Sequence, residues 1–153
     1  MDEHRFESFR DIISFAINRE IEAARSYGEL AAMATVPGMK KLLLELQADE
    51  ENHRRILENL TEDQIKSIEL SPVPDHRISD YIVEESLSSE MTFQDLLVFA
   101  AQKEKKAADL YGHLARMATT SEEKKIFEFL VGQEQAHKFK LESEYEKRIL
   151  EEN

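Results

Sequence analysis

The chain has no cysteine and no tryptophan, and only four glycines and three prolines among its 153 residues. Without cysteine there are no disulfides, no thiolate metal sites and no thiol chemistry. With few breakers and many Glu, Lys, Leu and Ala, a mostly helical protein is expected. Positive charge is also scarce. Lys plus Arg number 20 against 32 Asp plus Glu, a formal charge of −12. Such an acidic chain is a poor partner for nucleic acid or an anionic membrane, and it attracts cations. No apolar run approaches the ~20 residues of a membrane span. The first residues, Met1 to Phe6, are acidic and lack the apolar stretch of a signal peptide, so a cytoplasmic location is expected. The length suits a single domain, 1–153, with a proper core.

What the chain does contain is a sentence written twice. Glu20, Tyr27, Glu50 and His53 recur 84 residues later as Glu104, Tyr111, Glu134 and His137, with every spacing preserved. Phe15–Leu57 aligned without a gap on Phe99–Leu141 gives 18 identities in 43 positions.

Hydrophobic periodicity places each copy on a pair of helices. The first helix is expected from about Phe6 to Ala34, with Phe9, Ile13, Ala16, Glu20, Ala23, Tyr27, Leu30 and Ala34 inward. Thr35-Val36-Pro37-Gly38 breaks it. The second runs from about Met39 to Leu60, with Met39, Leu43, Leu46, Glu50, His53, Leu57 and Leu60 inward. The third starts at Thr92, an N-cap with Asp95 at the capping-box position. Its inward stripe is Phe93, Leu97, Ala100, Glu104, Ala107, Tyr111, Leu114 and Ala118. After the turn Thr119-Thr120-Ser121, with Ser121 as the expected cap, the fourth helix reaches about Leu150. Its inward residues are Phe127, Leu130, Glu134, His137 and Leu141.

Hairpin 1 thus spans about 6–60 and hairpin 2 about 92–151, joined by a crossover of about 61–91. Within the crossover, Ser71–Asp75 should be extended around its prolines, and 62–69 and 79–87 are candidate short helices. So long a connection can travel the length of a bundle. The architecture expected is all-α: two antiparallel hairpins closed by one long crossover into a four-helix bundle.

The polar members of the stripes carry the chemistry. Glu20 lies about 14 helical residues before the first turn and Glu50 about 12 after it, heights of ~21 and ~18 Å, within one helical turn. The same holds for Glu104 and Glu134. The i, i+3 spacing puts Glu50 with His53, and Glu134 with His137, on one face. A lone Glu-x-x-His on an acidic helix is ordinarily a solvated face. Two copies, each 30 residues after a core-phase Glu, are not. Unpaired buried carboxylates are costly, whereas carboxylate oxygen and imidazole nitrogen together suit Fe or Mn. One Glu from each of two helices plus Glu-x-x-His from each of the other two is the pattern of a di-metal carboxylate site. Six ligands on one shared site are therefore expected: Glu20, Glu50, His53, Glu104, Glu134 and His137. Tyr27, Tyr111 and Asp49 are candidates for hydrogen bonds to those ligands, Tyr27 and Tyr111 equally as plain core residues. His4, His76 and His113 fall outside the repeat, and the last two are expected to be exposed. Lys103, Lys105 and Lys106 are expected on the solvated side of their helix.

Over nearly its whole length the sequence resembles the rubrerythrin branch of the ferritin-like superfamily. Glu20-x6-Tyr27, Glu50-x-x-His53, Glu104-x6-Tyr111 and Glu134-x-x-His137 carry the likeness. The resemblance implies a ferritin-like fold and two bound irons, with Mn or a mixed pair as the alternatives. It implies Glu50 and Glu134 as bridging carboxylates, Glu20 with His53 completing one ion and Glu104 with His137 the other. Where rubrerythrins have a further Glu three residues after the helix-3 Glu, this chain has Ala107. Where bacterioferritins place a haem-ligating Met, it has Glu51, so no haem is expected. The Cys-x-x-Cys pairs of a rubredoxin domain are missing, so the electron donor is expected to be a separate protein.

The function this implies is reduction of peroxide or dioxygen at a di-iron centre. The alternatives are a ferritin-like storage protein with ferroxidase activity and a non-catalytic helical bundle. A homodimer is expected, with exchange of hairpins between chains one way to build it.

Overall fold

The computed structural model describes residues 8–69, 81 and 91–152. Among them are five helices and no strand: α1 (Phe9–Met33), α2 (Pro37–Glu58), α3 (Glu62–Glu69), α4 (Phe93–Met117) and α5 (Ser121–Glu152). They fall into two compact units, one holding α1 to α3 and the other holding α4, α5 and Tyr81. The prolines at 72 and 74, the candidate helix at 79–87, His4 and His76 lie outside the described residues, Tyr81 excepted.

In the first unit, Ser8 caps α1 by accepting the Asp11 amide at 3.1 Å. The helix therefore begins at Phe9, not Phe6. It ends where the Ala34 amide reaches back to Leu30 and Ala31 and the backbone turns extended. Pro37 then opens α2 as its first residue, two positions earlier than the expected Met39. Proline's fixed φ suits that place, where its missing N–H is no loss. The short connection folds α2 back along α1. α3 occupies the expected 62–69 because Thr61 and Gln64 cap each other. The Gln64 amide donates to Thr61 Oγ1 at 3.2 Å, and the Thr61 amide donates to Gln64 Oε1 at 2.8 Å. Ile65 and Ile68 are buried, and α3 packs on α1, where Arg10 pairs with Glu62 through two bonds of 3.0 and 2.8 Å.

In the second unit, Thr92 and Asp95 form the expected capping box, at 3.1 and 3.0 Å. α4 and α5 lie along one another. The cap of α5 is Thr120, whose Oγ1 accepts the Glu123 amide at 3.1 Å, so the expected cap at Ser121 is off by one residue. The buried Glu123 carboxylate in turn accepts the Thr119 amide and hydroxyl, each at 3.3 Å. α5 has 32 residues against the 22 of α2, and the excess lies beyond the repeat. Arg148, in that excess, sets its guanidinium 5.1 Å from the centroid of the Phe93 ring at the start of α4.

The inward stripes are buried as their periodicity requires. On α1 and α2 every predicted position is buried except Ala34. On α4 and α5 every one is buried except Phe93 and Ala118.

Candidate functional site

Six of the seven polar side chains buried among the described residues are the repeated Glu and His. Glu20, Glu50, His53, Glu104 and Glu134 are 0% exposed and His137 is 1% exposed. A carboxylate so placed loses nearly all its hydration, and it persists only where other groups replace that hydration.

In the first unit, α1 supplies Glu20 and α2 supplies Glu50 and His53. The His53 Nδ1 lies 2.9 Å from Glu50 Oε1 and 3.6 Å from Glu20 Oε1. One ligand atom from each of the three lies within 4.8 Å of the others. The close His–Glu pair comes from the i, i+3 spacing, which stacks side chains on one helical face. Glu20 joins because it and Glu50 stand at matching heights above the α1–α2 turn.

The second unit repeats the geometry. His137 Nδ1 lies 3.1 Å from Glu134 Oε1 and 3.6 Å from Glu104 Oε2. Ligand atoms of Glu104, Glu134 and His137 again lie within 4.8 Å of one another.

One residue in this neighbourhood escaped the sequence reading. Arg19 Nη1 donates to Glu50 Oε2 at 2.9 Å and to Glu20 Oε1 at 3.3 Å, and its side chain is only 10% exposed. Its Cα is one position off the inward stripe, but the long side chain carries the guanidinium inward. The available signal was the repeat itself: a basic residue stands directly before each lone Glu, Arg19 before Glu20 and Lys103 before Glu104. Lys103 behaves differently. Its ammonium sits 5.5 Å from the centroid of the Phe99 ring, so Lys103 is half-buried, not on a fully solvated face, whereas Lys105 is exposed as expected.

Tyr27 and Tyr111 are buried two turns beyond Glu20 and Glu104, on the same faces of α1 and α4. Asp49 is half-buried beside Glu50. His113 departs from its expected exposure: it is half-buried, in a hydrogen bond between its Nδ1 and the Tyr81 hydroxyl and in an edge-on contact with that ring.

The donor set fits a metal. Each triad offers two carboxylates and one imidazole, an oxygen-rich mixed set that suits Fe and Mn and lacks the thiolates of a structural zinc site. Each gathers two carboxylates about one imidazole, a donor set that a divalent cation can join.

Comparison with known proteins agrees with this chemistry. The family model described as Rubrerythrin matches residues 11–145. Among solved structures, a candidate ferritin-like diiron-carboxylate protein from Thermotoga maritima shares 24% identity, with a TM-score of 0.70 over 95% of this chain and 99% of that one. A hypothetical protein from Pyrococcus furiosus shares 25% identity, with a TM-score of 0.69 over 88% of this chain and 86% of that one. No curated protein matches. The likeness gives the fold as all-α and ferritin-like. No helix among the described residues is long and apolar enough to cross a membrane.

Proposed function

Because this chain belongs to the Rubrerythrin family, we propose that it is an oxidoreductase that reduces peroxide or dioxygen at a pair of iron ions, with electrons from a separate donor protein. The observation that carries this reading is the duplicated triad: two carboxylates and an imidazole, all but fully buried, gathered at the same positions of both repeats. Glu20, Glu50 and His53 with Glu104, Glu134 and His137 would hold the two ions. Such a pair, when bound, supplies two electrons and Lewis acidity to an oxidant.

The chain's own residues do the rest. The four carboxylates neutralise the cations and set their charge. The imidazole nitrogens must be unprotonated to offer lone pairs to a cation, so metal uptake displaces any proton they hold. Burial of all six side chains keeps bulk water from the reacting centre. Tyr27, Tyr111 and Asp49 would hydrogen-bond the ligands and hold their orientation. A single domain from both hairpins, a cytoplasmic homodimer and hairpin exchange belong to the same proposal.

Anaerobic titration with Fe(II), followed by pulses of peroxide and then of dioxygen, tests it by near-ultraviolet absorption. Saturation near about two irons per chain is expected, with faster oxidation by peroxide. Many irons per chain in a large hollow oligomer would favour storage instead. No spectral change in a chain of intact helicity would overturn the reading.

A further inference from the structure

The groove between paired helices is plugged in one copy of the repeat and open in the other. Over Gly28 the Gln47 amide fills the space. A Cβ there would meet Gln47 Nε2 at 2.5 Å, and that amide donates to the Ala24 carbonyl at 3.0 Å. In the second copy the shorter, apolar Val131 stands in place of Gln47. A Cβ on Gly112 would meet nothing nearer than Arg116 Nη1 at 3.7 Å. What is left is a solvent-open groove of about 500 Å³ between Asp109, Gly112, His113 and Arg116 of α4 and Val131 and Gln135 of α5. That is the size of a small-molecule site. Tyr81 also lines it, with its hydroxyl hydrogen-bonded to His113 Nδ1 and its ring edge-on to the imidazole.

The charges around the groove have changed with the plug. Where the first copy has Glu29, Ala32 and Glu51, the second has His113, Arg116 and Gln135. Two carboxylates are gone and a guanidinium has arrived. One carboxylate, Asp109, stands where the first copy has Arg25, two turns before Arg116. Arg116 reaches back along α4, since its Nη1 lies beside Gly112. That leaves roughly one turn, ~5 Å, between the guanidinium and the level of Asp109. The exposed pair of Asp109 with Lys105, at 4.0 Å, is too weak to hold the carboxylate against a closer cation.

We propose that this groove binds a small zwitterion, with a carboxylate on Arg116 and an ammonium a few bonds away on Asp109. The planar guanidinium fork matches a carboxylate. One guanidinium and one carboxylate on the protein favour a ligand of no net charge over a doubly charged phosphate. Gln135 brings an amide donor where a carboxylate such as Glu51 would repel the anionic end, and Val131 gives the methylenes between the charges an apolar wall. The proposal does not rest on the di-metal reading.

Titration of the metal-free full-length chain with 4-aminobutyrate, followed by the NMR signals of the Gly112 amide and the Gln135 side-chain amide, tests it. Saturable shifts with a Kd on the order of 1 mM are expected. Butyrate, which lacks the ammonium, and inorganic phosphate should each bind about threefold or more weakly. Asp109→Asn should erase the preference for 4-aminobutyrate over butyrate. Arg116→Ala, which puts back the residue of the first copy, should weaken binding by about tenfold or more. Val131→Gln, which rebuilds the plug, should do the same with helicity intact. If that variant does not fold, Arg116→Ala, a change at an exposed position, still decides the matter. Signals that stay still in a native chain of full helicity would overturn the proposal. So would equal binding of butyrate, tighter binding of phosphate, or binding that survives Arg116→Ala.

Discussion

The two hairpins are the same object down to the residue in some respects and different objects in others. α1 and α4 start at Phe9 and Phe93 and end at Met33 and Met117, and α2 and α5 start at Pro37 and Ser121, all offset by the repeat length of 84. The caps match in kind, Ser8 with Asp11 and Thr92 with Asp95. The imidazole-to-carboxylate distances agree to within 0.2 Å, 2.9 against 3.1 and 3.6 in both. The differences lie around this frame. Arg19 answers to Lys103, Gln47 to Val131 and Asp49 to Gln133. The start of α1 is attended by α3, and that of α4 by the extra turns of α5. What the triads need has stayed the same in both copies, and what merely surrounds them has not. The cluster is therefore better read as a site than as a packing accident, because packing alone would let its polar members drift as Gln47 and Val131 have.

The cation difference predicts the largest effect. In the metal-free protein, replacing a buried carboxylate by leucine removes a group that is costly to desolvate and should stabilise. Glu104→Leu should raise unfolding stability by about 1–4 kcal/mol in the presence of chelator. Glu20→Leu should gain clearly less, because it takes an acceptor from Arg19 and leaves the guanidinium to Glu50 alone. With metal present both substitutions should destabilise, each having lost a ligand. Denaturant unfolding with and without chelator checks both signs. Equal gains without metal would remove Arg19 from the account.

The glycines sharpen the comparison at lower energy. A Cβ on Gly112 would meet nothing nearer than Arg116 Nη1 at 3.7 Å, so Gly112→Ala should stabilise by the usual helix-propensity gain of about 1 kcal/mol. A Cβ on Gly28 would meet Gln47 Nε2 at 2.5 Å. That amide donates to the Ala24 carbonyl at 3.0 Å. Gln47 is flexible and can move, but it must give up this bond, a loss of about 0.5–1.5 kcal/mol that offsets the gain. Gly28→Ala should therefore be close to neutral in the same unfolding assay. Adding Gln47→Leu to Gly28→Ala should not restore the full gain if the close approach, and not the bond, is what matters.

How much of this could be read from the sequence follows from what a one-dimensional pattern encodes. Periodicity reports where a Cα sits on a helix, so the buried stripes and all six ligand candidates were legible: a Glu in a leucine's phase is visible without coordinates. It does not report where a long side chain ends, and for that reason Arg19 was missed and Lys103 was expected to be more exposed than it is. Local hydrogen-bond chemistry was legible where it followed a rule, as with Thr92 and Asp95 or the candidate helix at 62–69. It was not where two residues competed for one role: Thr120 took the cap expected of Ser121, and Ser8 shortened α1 by three residues. The repeat held the missing information on α1, since Ser8 and Asp11 align with Thr92 and Asp95. His113 depended on a contact with Tyr81, 32 residues away, which no local pattern specifies.

The outer covers of α1 and α4 give the smallest expected effect, and the two separate by pH. At α1, the Arg10 side-chain hydrogen bonds and charge hold the Glu62 carboxyl below its ordinary value of 4.5. A depressed carboxyl contributes stability that is present above its unfolded value and lost as pH falls through the folded one. The pair is solvent-exposed, so the contribution is small and screened by salt. Arg10→Ala should therefore lower the melting temperature slightly near neutral pH, and the difference from native should vanish as pH falls from about 5 to about 3. At α4, the matching cover uses the guanidinium of Arg148 over the Phe93 ring, and a ring has no proton to gain. The deficit of Arg148→Ala should persist across the same acid range. Melting curves of the two variants at a few pH values, in low and in high salt, decide this. If the two deficits fade together, Arg148 is held by carboxylates and not by the ring, and the two covers work by the same means after all.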